Sequence, residues 1–228
     1  MEGGEKLKGK DFLKSLLISV FIFSLLISTV YASTPPYQYG GAGQQTEGNA
    51  NTWPTEIYLS NGTLKMLGIA GASSFVTYGR ADSWGYFGIY VTASRNGHIH
   101  AYTQVVYNGH VQQYCYVIWM GYAEAHIWIL QKIKVYDTSN WQLVQENEKW
   151  VYDEGVSWAG SKSKDFNMET YYVSVDFPCV AGHTYAIEVW IECQCAAQAA
   201  LGGVAQSSYT FAGEYYIRVN YINWYYTS

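Results

Sequence analysis

From about residue 54 to the C-terminus, turn-forming residues cut the chain into short runs of Val, Ile, Tyr, Trp and Thr. That rhythm restricts it to antiparallel β-structure. Asn61-Gly62, Arg95-Asn96-Gly97, Asn108-Gly109, Asp137-Thr138-Ser139-Asn140 and Ala181-Gly182-His183 are the punctuation. Between them side chains alternate with the period of two that a strand requires. In WGYFGIYVTAS, Tyr86, Gly88, Tyr90 and Thr92 share one face, and Phe87, Ile89, Val91 and Ala93 the other. AHIWILQKIKVYD puts Ile127, Ile129, Ile133 and Val135 on one side, and His126, Lys132 and Lys134 on the other. YYVSVDFPCVAGHTYAIEVWIECQC is a further strand, turn and strand, and no long amphipathic helix is present. The expected fold is all-β: one antiparallel β-sandwich domain, jelly-roll-like, over residues 54–228.

Residues 33–53, STPPYQYGGAGQQTEGNANTW, lack apolar periodicity and are expected to be a flexible Gly/Gln/Asn-rich segment. Before them, Lys6, Lys8, Lys10 and Lys14 precede the apolar run Leu16–Val30, and Val30-Tyr31-Ala32 offers small residues for cleavage. Residues 1–32 therefore read as a secretory signal peptide, so that membrane contact is transient and the mature protein extracellular. A retained membrane anchor and a pilin-type leader cut near Lys8-Gly9 are the alternatives.

Four lysines and three acids leave with residues 1–32, so the 13 basic and 18 acidic residues of the chain fall to 9 and 15. A net charge of −6 without a basic stripe excludes nucleic acid as a partner. Charged residues are 14% of the chain, against about 25% in ordinary soluble domains. Aromatics reach 18%, with 23 Tyr and 9 Trp. Polar-tipped rings suit contact surfaces and strands alike.

His98 and His100 lie two apart in NGHIHAYTQVVYNGH and can point the same way from a strand. A metal site needs a third ligand, and the position four after His100 is Gln104. The pair is therefore expected at a surface, with no metal. Glu146 with Glu148, and Glu188 with Glu192, are the paired carboxylates, but no E-x-D-x-x-E arrangement is present. With no G-x-S-x-G elbow, P-loop, dinucleotide fingerprint or haem-attachment sequence either, the chain is expected to lack catalytic residues and cofactors.

Cys115, Cys179, Cys193 and Cys195 are an even count in an exported chain and are expected as two disulfides. Cys193 and Cys195 stand about 6.5 Å apart on one extended strand, so each is expected to bond separately to Cys115 or Cys179. Asn61-Gly62-Thr63 is the candidate N-glycosylation sequon. The terminal EYYIRVNYINWYYTS is rich on both faces: Tyr215, Ile217, Val219 and Tyr221 on one, Ile222, Trp224 and Tyr226 on the other. It is expected to be a central strand or a strand that pairs between subunits.

In its organisation the chain resembles secreted β-sandwich subunits of archaeal cell-surface filaments. They too carry a signal peptide, a flexible N-terminal segment and a Tyr-, Thr- and Asn-rich domain with few charges. The resemblance implies polymerisation by donating a strand, here residues 33 to about 60 or the C-terminal strand. The first expectation is thus a structural or adhesive surface protein that assembles with copies of itself. A carbohydrate-binding module or lectin acting on cell-surface glycans is the alternative, and a jelly-roll glycan-active enzyme the third.

Overall fold

The computed structural model describes residues 31–73, 77–118 and 120–227, and the expected signal peptide lies outside them but for its last two residues. The described strands are β1 (Tyr31–Ser33), β2 (Tyr39–Gly48), β3 (Ala50–Thr52), β4 (Glu56–Tyr58), β5 (Thr63–Ser73), β6 (Thr77–Thr92) and β7 (Gly97–Val117). After them come β8 (Tyr122–Asp137), β9 (Gln142–Ser157), β10 (Gly160–Cys179), β11 (Thr184–Ala200), β12 (Gly203–Phe211) and β13 (Tyr216–Thr227). One sheet runs β1-β13-β5-β12-β7-β10, with β3 and β4 on β5 and a further β13–β7 pairing; the other runs β2-β6-β11-β8-β9. Every pairing is antiparallel. The all-β sandwich expected from the alternation is the fold.

The alternating runs supply the core. Phe87, Ile127, Ile129, Ile133, Ile187, Val189 and Ile191 face inward from one sheet, and Leu64, Ile99, Val105, Tyr107, Phe211 and Ile217 from the other, all buried. Each such side chain contributes roughly 1.5–3 kcal/mol on leaving water. The Tyr209 hydroxyl crosses the core to donate to Ser83 Oγ at 2.7 Å, a satisfied polar tie between the sheets.

The segment 33–53 is not a free tail. Tyr39–Gly48 forms the edge strand β2 along β6, from Tyr39 opposite Gly88 to Gly48 opposite Gly79. Its glycines serve packing: a Cβ on Gly43 would lie 2.2 Å from the Trp84 ring, and one on Gly41 2.6 Å from the Tyr86 ring. The rings lie flat over β2 because those side chains are missing. β1 pairs Tyr31 with Trp224 and Ser33 with Ile222, so the expected cleavage point after Ala32 falls inside a paired strand.

The C-terminal strand is also used within the chain: β13 pairs with β7 from Tyr216 to Thr227 and with β1 over Ile222–Trp224. A bulge between Val219 and Tyr221 shifts its parity. Ile217, Val219 and Ile222 are therefore all buried, Trp224 and Tyr226 pack against the same core, and Tyr221 is only partly covered. Tyr215 precedes the strand in a turn, its N–H bonded to Ala212 O. The two faces expected for this segment are thus regrouped by one extra residue.

The four cysteines are buried free thiols, so the expected disulfides are not formed. Register keeps Cys179 out of reach of the other three. Cys179 lies opposite Gly97 at one end of β7, whereas Cys115 lies opposite Gly160 near the other, about 59 Å away along the strand. Cys179 follows Phe177, which touches Tyr185; Cys193 is eight residues farther along β11, about 26 Å. A disulfide needs Cα atoms within about 7 Å. Burial pushes the Cys115 thiol up to about 11 and the Cys195 thiol up to about 12.

Candidate functional site

The outer face of the larger sheet carries a polar, tyrosine-lined groove where β7, β10 and β13 run side by side. Alternation turns His98, His100, Tyr102 and Gln104 of β7 outward, since Ile99, Ala101, Thr103 and Val105 are buried. β10 sets Asp176, Ser174 and Tyr172 opposite His100, Tyr102 and Gln104. From the other side β13 sets Tyr225, Asn223 and Tyr221 opposite the same three residues. The groove has a volume of about 370 Å³ and is lined by His100, Tyr102, Tyr172, Val173, Ser174 and Tyr225.

Its rings are held but not covered. His100 and Tyr225 lie 5.1 Å apart between centroids, and Tyr102 meets the edge of Tyr221 at 5.9 Å. Tyr172 is 51% exposed, so its ring face is open to a ligand. Side-chain amides fix the hydroxyls. Asn223 Nδ2 donates to the Tyr102 hydroxyl at 3.1 Å, and Gln104 Nε2 donates to the Tyr172 hydroxyl at 2.7 Å. Gln104 is held in turn by Asn220 Nδ2 at 2.7 Å, and Asn220 by Arg218 Nε at 3.2 Å. Because each phenol oxygen accepts from an amide, its own hydrogen remains available to donate. Asn223 Oδ1 is buried without a partner beside them. Burial raises the Tyr221 hydroxyl, and the neighbouring Tyr172 and Tyr102 add to the effect.

His100 Nδ1 lies 2.8 Å from Asp176 Oδ1. When Nδ1–H donates to the Asp176 carboxyl, Nε2 of the neutral ring is left as an acceptor. Asp176 is thus tied to the imidazole at the groove's margin, and no second carboxylate lines it. The arrangement offers open ring faces, hydroxyl donors and an imidazole acceptor, with little net charge. Its chemical complement is a neutral, hydroxyl-rich ligand with apolar flat faces.

Of the residues singled out in the sequence, His100 lines the groove and Tyr221 stands beside it; the others fall elsewhere. His98 is exposed at the start of β7, and Glu146 and Glu148 are exposed on β9. Glu188 is buried under rings of the other sheet, and Glu192 pairs with Lys132 at 3.1 Å. Asn61 is exposed in its turn, with Oδ1 accepting from the Thr63 N–H at 3.1 Å. Among the described residues, no three His, Cys, Asp or Glu side chains converge as metal ligands. The groove tyrosines Tyr102, Tyr172 and Tyr225 carry no signal of their own in the sequence. What signal there is lies in the outward sets His98, His100, Tyr102, Gln104 and Tyr172, Ser174, Asp176, in which every member is aromatic, amide, hydroxyl or ionisable.

The smaller sheet also bears rings on its outer face, but they occupy one another. Tyr86 stacks on Trp190 at 4.5 Å, Lys134 Nζ sits 4.4 Å from that indole, and Tyr39 stacks on Tyr90 at 4.7 Å. A Cβ on Gly88 would lie 2.2 Å from the Tyr39 ring, which rests in the space it lacks. This cluster fastens β2 to its sheet.

No family model matches the chain, and no curated protein matches it. Among solved structures, a carbohydrate-binding module with bound β-1,4-galactotriose matches at 9% identity and a TM-score of 0.25, over 81% of this chain and 88% of that one. The C-terminal module of a laminarinase from Zobellia galactanivorans matches at 12% and 0.27, over 86% and 99%. A mannan-recognising module matches at 9% and 0.30, over 88% and 100%. What the groove can hold follows from its own side chains.

Proposed function

We propose that the chain is an extracellular, non-catalytic carbohydrate-binding β-sandwich that holds a neutral glycan in the groove of β7, β10 and β13. The observation that carries this is the state of two hydroxyls. Tyr102 and Tyr172 accept from Asn223 and Gln104, leaving both O–H groups free to donate beside open ring faces. A pyranose presents apolar C–H faces to the rings and hydroxyl oxygens to those donors. Hydrolysis through paired carboxylates finds no support here, because the carboxylate beside the groove, Asp176, is bonded to His100 and no second one lines it.

Strand-edge assembly finds less support. The segments expected to be donated, 33–60 and β13, are paired within the chain. The outer edge of β10 is capped at one point by Asn147 Nδ2, which donates to Ser174 O at 2.7 Å.

Affinity electrophoresis against a panel of neutral and acidic polysaccharides tests the proposal. Retardation is expected on at least one neutral polysaccharide and is expected to vanish in Tyr102→Ala and Tyr172→Ala proteins that keep their far-UV spectra. Retardation that survives both substitutions rejects the groove. Binding confined to acidic polysaccharides rejects the neutral ligand.

A further inference from the structure

Three described turns at one end of the sandwich carry exposed apolar side chains where hairpin turns ordinarily carry Gly, Asn, Asp or Ser. The β7–β8 turn exposes Ile118 at 61% and Met120 at 77%. The β9–β10 turn exposes Trp158 at 61%, and the β11–β12 turn exposes Leu201 at 68%. The three turns form one surface: Ile118 N–H donates to Gly202 O at 3.1 Å, and Trp158 N–H to Ala123 O at 2.8 Å. The Trp158 ring meets the edge of Tyr122 at 6.2 Å. Trp158 and Leu201 have φ of 65° and 48°, left-handed conformations that large side chains rarely adopt. Backbone strain that holds an apolar side chain out in water is a mark of a functional surface.

We propose that this tip docks on a lipid bilayer, inserting Ile118, Met120, Trp158 and Leu201 into the interface. Three features favour lipid over a protein pocket. The apolar groups project from three separate hairpin ends rather than from one strand face. Behind them stand Tyr114, Tyr116 and Tyr122, the polar-tipped rings that sit at headgroup level in membrane proteins. The nearby charges Lys162 and Glu154 neutralise each other at 2.5 Å, so attraction to acidic headgroups is not required. At the opposite end of the sandwich the turns Arg95-Asn96-Gly97 and Asp137-Thr138-Ser139-Asn140 are polar, with Trp141 and Val180 the exposed apolar side chains beside them.

The full chain with Met120→Cys, labelled with an environment-sensitive fluorophore and mixed with phosphatidylcholine vesicles, tests this. The control is the same label on Asn140→Cys at the far end; the native thiols are buried. The tip label is expected to shift to apolar emission, to be quenched by brominated lipid and to be insensitive to salt, while the control stays unchanged. Adding Ile118→Ser, Trp158→Ser and Leu201→Ser is expected to lower the tip-inserted fraction at least tenfold. A tip label unmoved by vesicles overturns the proposal. So does a shift that needs no lipid and rises with protein concentration, because the surface then joins two copies. Glycan retardation of the same proteins reports on the groove separately.

Discussion

Gln104 and Tyr172 face each other across β7 and β10, and the Gln104 amide donates to the tyrosine hydroxyl at 2.7 Å. That contact orients the phenol so that its proton points away from the protein amide. Gln104→Ala removes the orienting donor without emptying the core. Glycan affinity is expected to fall about fivefold, the equivalent of about 1 kcal/mol for one hydrogen bond. Isothermal titration with the best polysaccharide checks it, and unchanged affinity would show that the amide does not set the hydroxyl.

Gly43 should tolerate no side chain. Its Cβ position lies 2.2 Å from the Trp84 ring. Gly43→Val must lift that ring or detach β2, at a cost of about 1–3 kcal/mol. Chemical denaturation should show a lower midpoint, and Gly160→Val, whose Cβ meets nothing within 4 Å, should cost less.

Glu188 supplies a pH signature. Burial raises its carboxyl above the usual range, against the opposing pull of the Trp190 N–H at 2.7 Å and of Lys134. The Tyr39 hydroxyl lies close by but makes no geometrically sound hydrogen bond. A carboxyl whose folded pKa exceeds its unfolded value favours folding while protonated. Its contribution therefore declines as pH rises from the unfolded value through the folded one. Glu188→Gln should be more stable than the parent at pH 7 and close to it at pH 4. Thermal melts at the two pH values check this; a variant less stable at pH 7 would contradict the sign.

Thiol titration separates the register from the expected disulfides. Native protein should react slowly with a thiol reagent because all four cysteines are buried. Four thiols per chain should appear in guanidinium. Two or fewer would show that cysteines are paired, contrary to the four free thiols of the structure.

Much of the sandwich was legible because inward Ile and Val alternate with polar partners in residues 86–93 and 127–135. The turns at Asn61-Gly62, Arg95-Asn96-Gly97 and Asp137–Asn140 likewise follow from their own chemistry. Asn108-Gly109 is different. β7 runs straight through it, and a Cβ on Gly109 would sit 2.3 Å from the Phe211 ring. A glycine placed for packing is indistinguishable in sequence from one placed for a turn. The same ambiguity hid β2, whose glycines carry no periodicity to read. The groove was hidden for another reason: its residues come from strands far apart in sequence, and only the register joins His100, Asp176 and Tyr225. Tyrosines facing outward look alike until their neighbours across the sheet are known.

The most direct test of glycan recognition is a crystal structure of the protein with the oligosaccharide that it binds best. The expected result is a sugar ring against Tyr172 or Tyr225, with hydroxyl oxygens within hydrogen-bond reach of the Tyr102 and Tyr172 phenols and His100 Nε2. A sugar bound on the smaller sheet, or at the loops, with the β7–β10–β13 groove left empty, would contradict it.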